Sequence, residues 1–194
     1  MAAVLPTAAS AAEMAPRALM SGEMLKGRFI QDRQLAGFTK PLRSEGTFTL
    51  VPGQGLIWNG KTPFENTTVI TGEGILQLVN GQEAMRLTSA RVPGLGRFYE
   101  VLEAAVSGDT KSLAGAFTVK RTADSEHWSL LLTPLHGSEM AQLKSLLVKG
   151  GRMVDTIDVD KGGGDVDHIS FLDQSIGPLA LSADEKALLA KLRK

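Results

Sequence analysis

The 194-residue sequence contains no cysteine. That excludes a disulfide scaffold, a thiol nucleophile and a Cys-ligated zinc site. It has little aromatic content, 5% with a single tyrosine, and only three histidines. It also lacks an excess of either charge: Lys plus Arg is 21 and Asp plus Glu is 21. A balanced surface gives no electrostatic reason to expect nucleic acid as a partner. No run of 18 or more apolar residues occurs, so no transmembrane helix is expected. What remains is a chain that is 43% apolar and long enough to build a sizeable core.

Met1 to Ala12 (MAAVLPTAASAA) is rich in small residues. Ala9-Ser10-Ala11 resembles the cleavage region of a secretory signal, although no basic segment precedes it. The expectation is a signal-peptide remnant or a disordered tail over residues 1–12, then one domain over 13–194.

Hydrophobic periodicity predicts mostly strands. Residues 13–26 have a helical tendency, weakened by Pro16 and Gly22. Arg28 to Leu35 reads as a strand. In Gly46 to Val51, Phe48 and Leu50 share one face and Thr47 and Thr49 the other. Leu56 to Trp58, Thr67 to Thr71 and Ile75 to Val79 follow as strands, with turns at Pro52-Gly53 and Gly72-Glu73-Gly74 and a loop from Lys61 to Asn66. Phe98, Val101, Leu102 and Ala105 form the apolar stripe of a helix over 95–106. Strands resume at 116–121, 127–133, 144–149, 153–160 and 165–172, with a helical turn near 138–143 and a hairpin loop at Lys161-Gly162-Gly163-Gly164. Ser182 and Glu185 have capping-box spacing ahead of a final helix.

Several chemical motifs fail on inspection. Gly55-Leu56-Ile57-Trp58-Asn59-Gly60-Lys61-Thr62 fits the phosphate-loop pattern. Such a loop must open a helix, and Pro63 biases Thr62 away from helical geometry. Asp158, Asp160, Asp165 and Asp167 surround three glycines, but the twelfth position from Asp158 is Ile169, where a calcium loop has Glu. His127, His136 and His168 are scattered and are expected at surface or edge positions. No G-x-S-x-G flanks any serine. Asn66-Thr67-Thr68 matches a glycosylation acceptor without other support. No catalytic residue, metal ligand or cofactor is assigned. Alternating Phe48, Leu50, Trp58, Trp128, Leu130 and Leu132 would line the concave side of a curved sheet. Periodicity alone favours a filled core there over a ligand cavity.

The order of short elements resembles the LolA family of periplasmic lipoprotein carriers. Phe29-Ile30-Gln31 matches its opening strand, and Gly46 opens the next. Trp58 and Pro63 keep its five-residue offset. Val69-Ile70-Thr71-Gly72 and Leu132-Thr133-Pro134 are similar to later elements, so the likeness runs from about Leu25 to Phe171. It implies an α+β, mainly β fold: an incomplete antiparallel β-barrel with a helical lid over a hydrophobic cavity. It implies a periplasmic, monomeric carrier, not an enzyme, that binds the acyl chains of lipoproteins. An inner-membrane donor and an outer-membrane acceptor would be its partners. The implied lipid-binding residues are Phe29, Phe48, Leu50, Leu56, Trp58, Phe98, Val101, Leu102, Trp128, Leu130 and Leu132, with Met20 and Met24 as adaptable lid residues. The family's carriers have an Arg that aligns near Pro52 and is associated with holding the lid closed. No Arg falls there in this chain, and the role does not transfer to Arg43. That departure opens a second reading, a carrier or sensor of another lipid such as a glycolipid or a free acyl product.

Overall fold

Strand β1 spans Glu23–Gln34. It includes Glu23 to Lys26, which local propensity assigns to a helix. Pairing decides the matter: β1 is hydrogen-bonded on both edges, and Leu25 is buried in the core. Two ladders and a buried leucine outweigh a helix preference of a few tenths of a kcal/mol per residue, about 0.7 at most. The computed structural model describes residues 17–92, 99–101, 103–105, 113–138, 140–141 and 143–192.

From β1 the chain runs as a meander: β2 (Leu42–Val51), β3 (Gly55–Thr62), β4 (Asn66–Thr71), β5 (Gly74–Val79) and β6 (Gln82–Thr88). After a connection with helical residues at 99–101 and 103–105, a second meander follows. It comprises β7 (Phe117–Ala123), β8 (Trp128–Pro134), β9 (Ser145–Gly150), β10 (Val154–Gly162) and β11 (Asp165–Pro178). β11 returns to pair with β1. The result is one antiparallel sheet in the order β6-β5-β4-β3-β2-β1-β11-β10-β9-β8-β7, with β6 and β7 left as edges. The sheet is not closed into a barrel, as expected. Among the described residues, no helix is long and apolar enough to cross a membrane.

β6 is absent from the reading of the sequence, because QEAMRLT offers only Met85 and Leu87 in alternation and lies largely exposed at an edge. A usable signal does exist. Asn80-Gly81, at φ 51° and 76°, joins Val79 to its partner Gln82. An Asn-Gly pair with both residues at positive φ is the favoured two-residue hairpin turn. Where a helical turn is expected near 138–143, Ala141 N–H donates to the Ser138 carbonyl and Leu143 N–H to that of Met140.

The sheet buries both faces in its first half. On one face Leu25, Phe48, Leu50, Leu56, Trp128 and Leu130 join a large apolar cluster. On the other, Ile57, Val69, Leu76 and Leu78 receive Leu189 and Leu192 from the C-terminal segment. This explains why Leu56-Ile57-Trp58 is apolar without interruption.

The C-terminal helix, Ala183–Ala190, starts with the expected capping box. Ser182 Oγ accepts from Glu185 N–H, and the Glu185 carboxylate accepts from Ser182 N–H. Glu185 also docks the helix, taking Thr49 Oγ1 at 3.0 Å and the Lys26 ammonium at 3.0 Å. Burial pushes its carboxyl up. The bonds from Ser182, Lys26 and Thr49 outweigh that and hold it at about 2. A carboxyl depressed on folding contributes stability above its ordinary value of 4.5, lost as pH falls toward about 2. Glu185→Gln is therefore expected to lower stability at neutral pH and flatten its acid dependence in that window. An unchanged acid profile in urea titrations would show that Glu185 does not anchor the helix.

Candidate functional site

The concave face encloses a cavity of about 390 Å³. Ile75 on β5 and Leu146 on β9 both line it. These strands are seven steps apart in the sheet order. In a flat sheet they would stand roughly 34 Å apart, at about 4.8 Å per step. A cavity this small can touch both only because the sheet wraps around it. Val101 and Ala105 of the helical segment, with Met140 and Leu143, cover it from above.

Of the residues expected to bind lipid, Leu56, Trp58 and Val101 line the cavity. Phe29 stands behind Trp58, with ring centroids 3.8 Å apart and planes 26° apart. Phe48 and Phe171 complete an aromatic group around the same indole, each centroid 6.1 Å from it. Leu50, Trp128, Leu130 and Leu132 are buried in the continuous core but do not line the cavity. The Trp128 indole N–H is tied to the Gly151 carbonyl at 2.6 Å. Phe98 and Leu102 lie outside the described residues, as does the segment 1–12. Neither Met20 nor Met24 lines the cavity: Met20 is exposed, and Met24 lies within β1 next to inward-facing Leu25. The methionine in the cavity wall is Met140.

Sequence reasoning missed the far wall, made by Ile157 and Val159 of β10 and Ile169 and Phe171 of β11. Their alternation is visible in the sequence. That their inward face meets Trp58 depends on the β1–β11 pairing. It also missed a polar end formed by Gln31, Arg33, Lys161 and Asp167.

The helical segment is tied down at one side. Glu103 Oε1 accepts from the Gly53 N–H at 2.7 Å, in the turn between β2 and β3. This is the turn that carries Pro52. Arg43 lies elsewhere, paired with Asp32 and Glu45. Burial, reinforced by Glu103, pushes the Tyr99 phenol well above its usual range, so it stays neutral.

The motifs set aside above are dispersed by the fold. The phosphate-loop pattern is strand β3 over its whole length. All three histidines are exposed. The four aspartates separate: Asp158 contacts His168, Asp160 pairs with Lys144, Asp165 accepts from Ala36 N–H, and Asp167 points into the cavity. No cluster suited to a metal ion occurs among the described residues. Ser170 Oγ lies 3.3 Å from His168 Nε2, and His168 Nδ1 contacts Asp158. The order is that of a hydrolytic triad. However, it sits on the face opposite the cavity, on a strand whose N–H groups are committed to ladders on both sides. Those ladders leave the strand itself no converging N–H pair to stabilise an oxyanion.

A family model described as "Outer membrane lipoprotein carrier protein LolA-like" matches residues 5–187. No curated protein matches the sequence. Among solved structures, the chain is similar to the LolA superfamily protein NE2245 from Nitrosomonas europaea. The identity is 11% and the TM-score 0.41, covering 85% of this chain and 90% of that one. It is also similar to LprF from Mycobacterium bovis, at 12% identity and TM-score 0.40, covering 84% and 90%.

Proposed function

Because the chain belongs to the LolA-like family of outer membrane lipoprotein carriers, we propose that its cavity holds an acyl chain in transit through the periplasm. The cargo is an acylated lipoprotein moving from an inner-membrane donor to an outer-membrane acceptor. The observation that carries this reading is the cavity itself, walled by Leu56, Trp58, Ile157, Ile169 and Phe171 and covered by Val101 and Ala105. Its volume falls within the roughly 300–1,000 Å³ common for small-molecule sites.

The physics of such a task is asymmetric. Each buried methylene contributes about 0.8 kcal/mol, so capture is easy and release is the difficulty. Release requires an open state within a few kcal/mol of the closed one. A single bond from a backbone N–H to a carboxylate, worth about 1.5–3 kcal/mol, has that magnitude. The Glu103–Gly53 contact supplies one such tie between the cover and the sheet. It stands at the turn where an arginine latch is missing.

A second reading, a carrier or sensor of another lipid, is favoured by the charged end of the cavity. The test is native mass spectrometry of protein taken from a bacterial periplasm, followed by extraction of bound material. Co-purified acyl peptide supports the lipoprotein reading, and co-purified fatty acid or phospholipid the second. A clean apo mass, with no uptake of labelled palmitate or acylated peptide, would overturn both.

A further inference from the structure

The inward faces of three neighbouring strands change from apolar to charged at the same end. On β1 the sequence is Leu25, Phe29, Gln31, Arg33; on β11 it is Phe171, Ile169, Asp167; on β10 it is Ile157, Val159, Lys161. Arg33 and Asp167 are direct partners across the β1–β11 ladder. The register of β10 against β11 shifts between Asp160 and Gly162, which makes Lys161 the bulged residue. Alternation from Ile157 and Val159 points Lys161 inward, and its ammonium reaches Asp167 at 2.8 Å.

Asp167 is buried, at 6% exposure. Its carboxylate accepts from Arg33 Nε at 3.0 Å, Gln31 Nε2 at 3.2 Å and Lys161 Nζ. One carboxylate faces two cations, and these three are the charged residues of the cavity wall. The site therefore keeps one surplus positive charge. Arg33 gives Asp167 only its Nε, and its two terminal nitrogens donate to no acceptor among the described residues. Arg33 and Lys161 are partly exposed, with side chains 46% and 37% accessible, so this end meets solvent. A fixed surplus cation at the mouth of an apolar cavity selects an amphiphile with an anion at one end.

Resting on the carrier reading above, we propose that Arg33 and Lys161 bind the anionic headgroup, phosphate or carboxylate, of a lipid whose chain fills the cavity. Asp167 and Gln31 hold the two cations in place.

The experiment compares three palmitoyl amphiphiles at low salt: lysophosphatidate, palmitate and neutral monopalmitoylglycerol, each displacing a fluorescent acyl probe. The anionic pair is expected to bind about tenfold more tightly than the neutral one, with the difference shrinking as salt rises. Arg33→Gln and Lys161→Gln should each remove most of that preference, read as the ratio of anionic to neutral affinity within each variant. Asp167→Asn should increase the preference, whereas a purely structural role predicts loss of folding or no change. A phosphate-selective headgroup site favours lysophosphatidate over palmitate, and a carboxylate site the reverse. Displacement by inorganic phosphate alone would overturn the lipid as source of the anion. Equal affinities for all three amphiphiles would overturn this inference but leave the carrier reading standing. Failure of all three to bind would overturn both.

Discussion

Trp58→Asp is expected to abolish uptake of a labelled acyl chain and to lower unfolding stability by about 3 kcal/mol. The indole is both wall and buttress. One side lines the cavity, and the other stacks on Phe29 and meets Phe48 and the edge of Phe171. Truncating a buried tryptophan costs about 3–5 kcal/mol, and the part of Trp58 open to the cavity places it at the low end. A carboxylate adds a charge where apolar walls offer no partner. Trp58→Phe keeps the stacked ring and should retain most of the uptake. Denaturant midpoints and a fluorescent acyl probe separate the two effects. Wild-type values in the aspartate variant would place the indole outside both cavity and core.

Gly46→Val should be more disruptive still, costing about 3 kcal/mol or more and leaving little folded protein. A Cβ at position 46 would overlap the Asn59 carbonyl oxygen and lie 2.8 Å from Phe29 Cε1. Neither can yield. Asn59 is fixed between β2 and β4, and Phe29 is fixed by its stack on Trp58. The crowding arises where β2 and β3 slip register, between Glu45 and Gly46, so that Gly46 faces Gly60. Gly72 is the contrast, because open space surrounds its hypothetical Cβ. Gly72→Ala should change stability by no more than about 0.5 kcal/mol. Normal unfolding of a Gly46 variant would mean that the β2–β3 register differs from the one described.

These two residues also show how far the sequence reaches. Phe48 and Leu50, like Trp128, Leu130 and Leu132, declare by their spacing that they turn inward, and all five are buried. The capping box at Ser182 and Glu185, the turn glycines and the proline that breaks the phosphate-loop pattern are equally local. Each rests on neighbours within a few residues, so the chain specifies it before any tertiary contact forms. Spacing gives a side chain its face but not the curvature of the sheet behind it. Leu50 and Leu56 have the same local character, yet only Leu56 meets the cavity. The helix expected over Glu23 to Lys26 gave way to a strand held from both sides, and edge strand β6 carried only Met85 and Leu87 to announce it.

The charged end of the cavity lies furthest from local prediction. Arg33 and Asp167 are 134 residues apart and meet only because β11 returns to β1. Lys161, read locally as part of a hairpin loop, belongs to β10 and follows Ile157 and Val159 on its inward face. The sequence by itself determined an inward apolar stripe, its turns and its caps, because those depend on short-range periodicity and backbone stereochemistry. Only the tertiary structure decided which of those residues surround empty space and which charges guard its mouth, because both depend on long-range strand pairing and on how tightly the sheet curls.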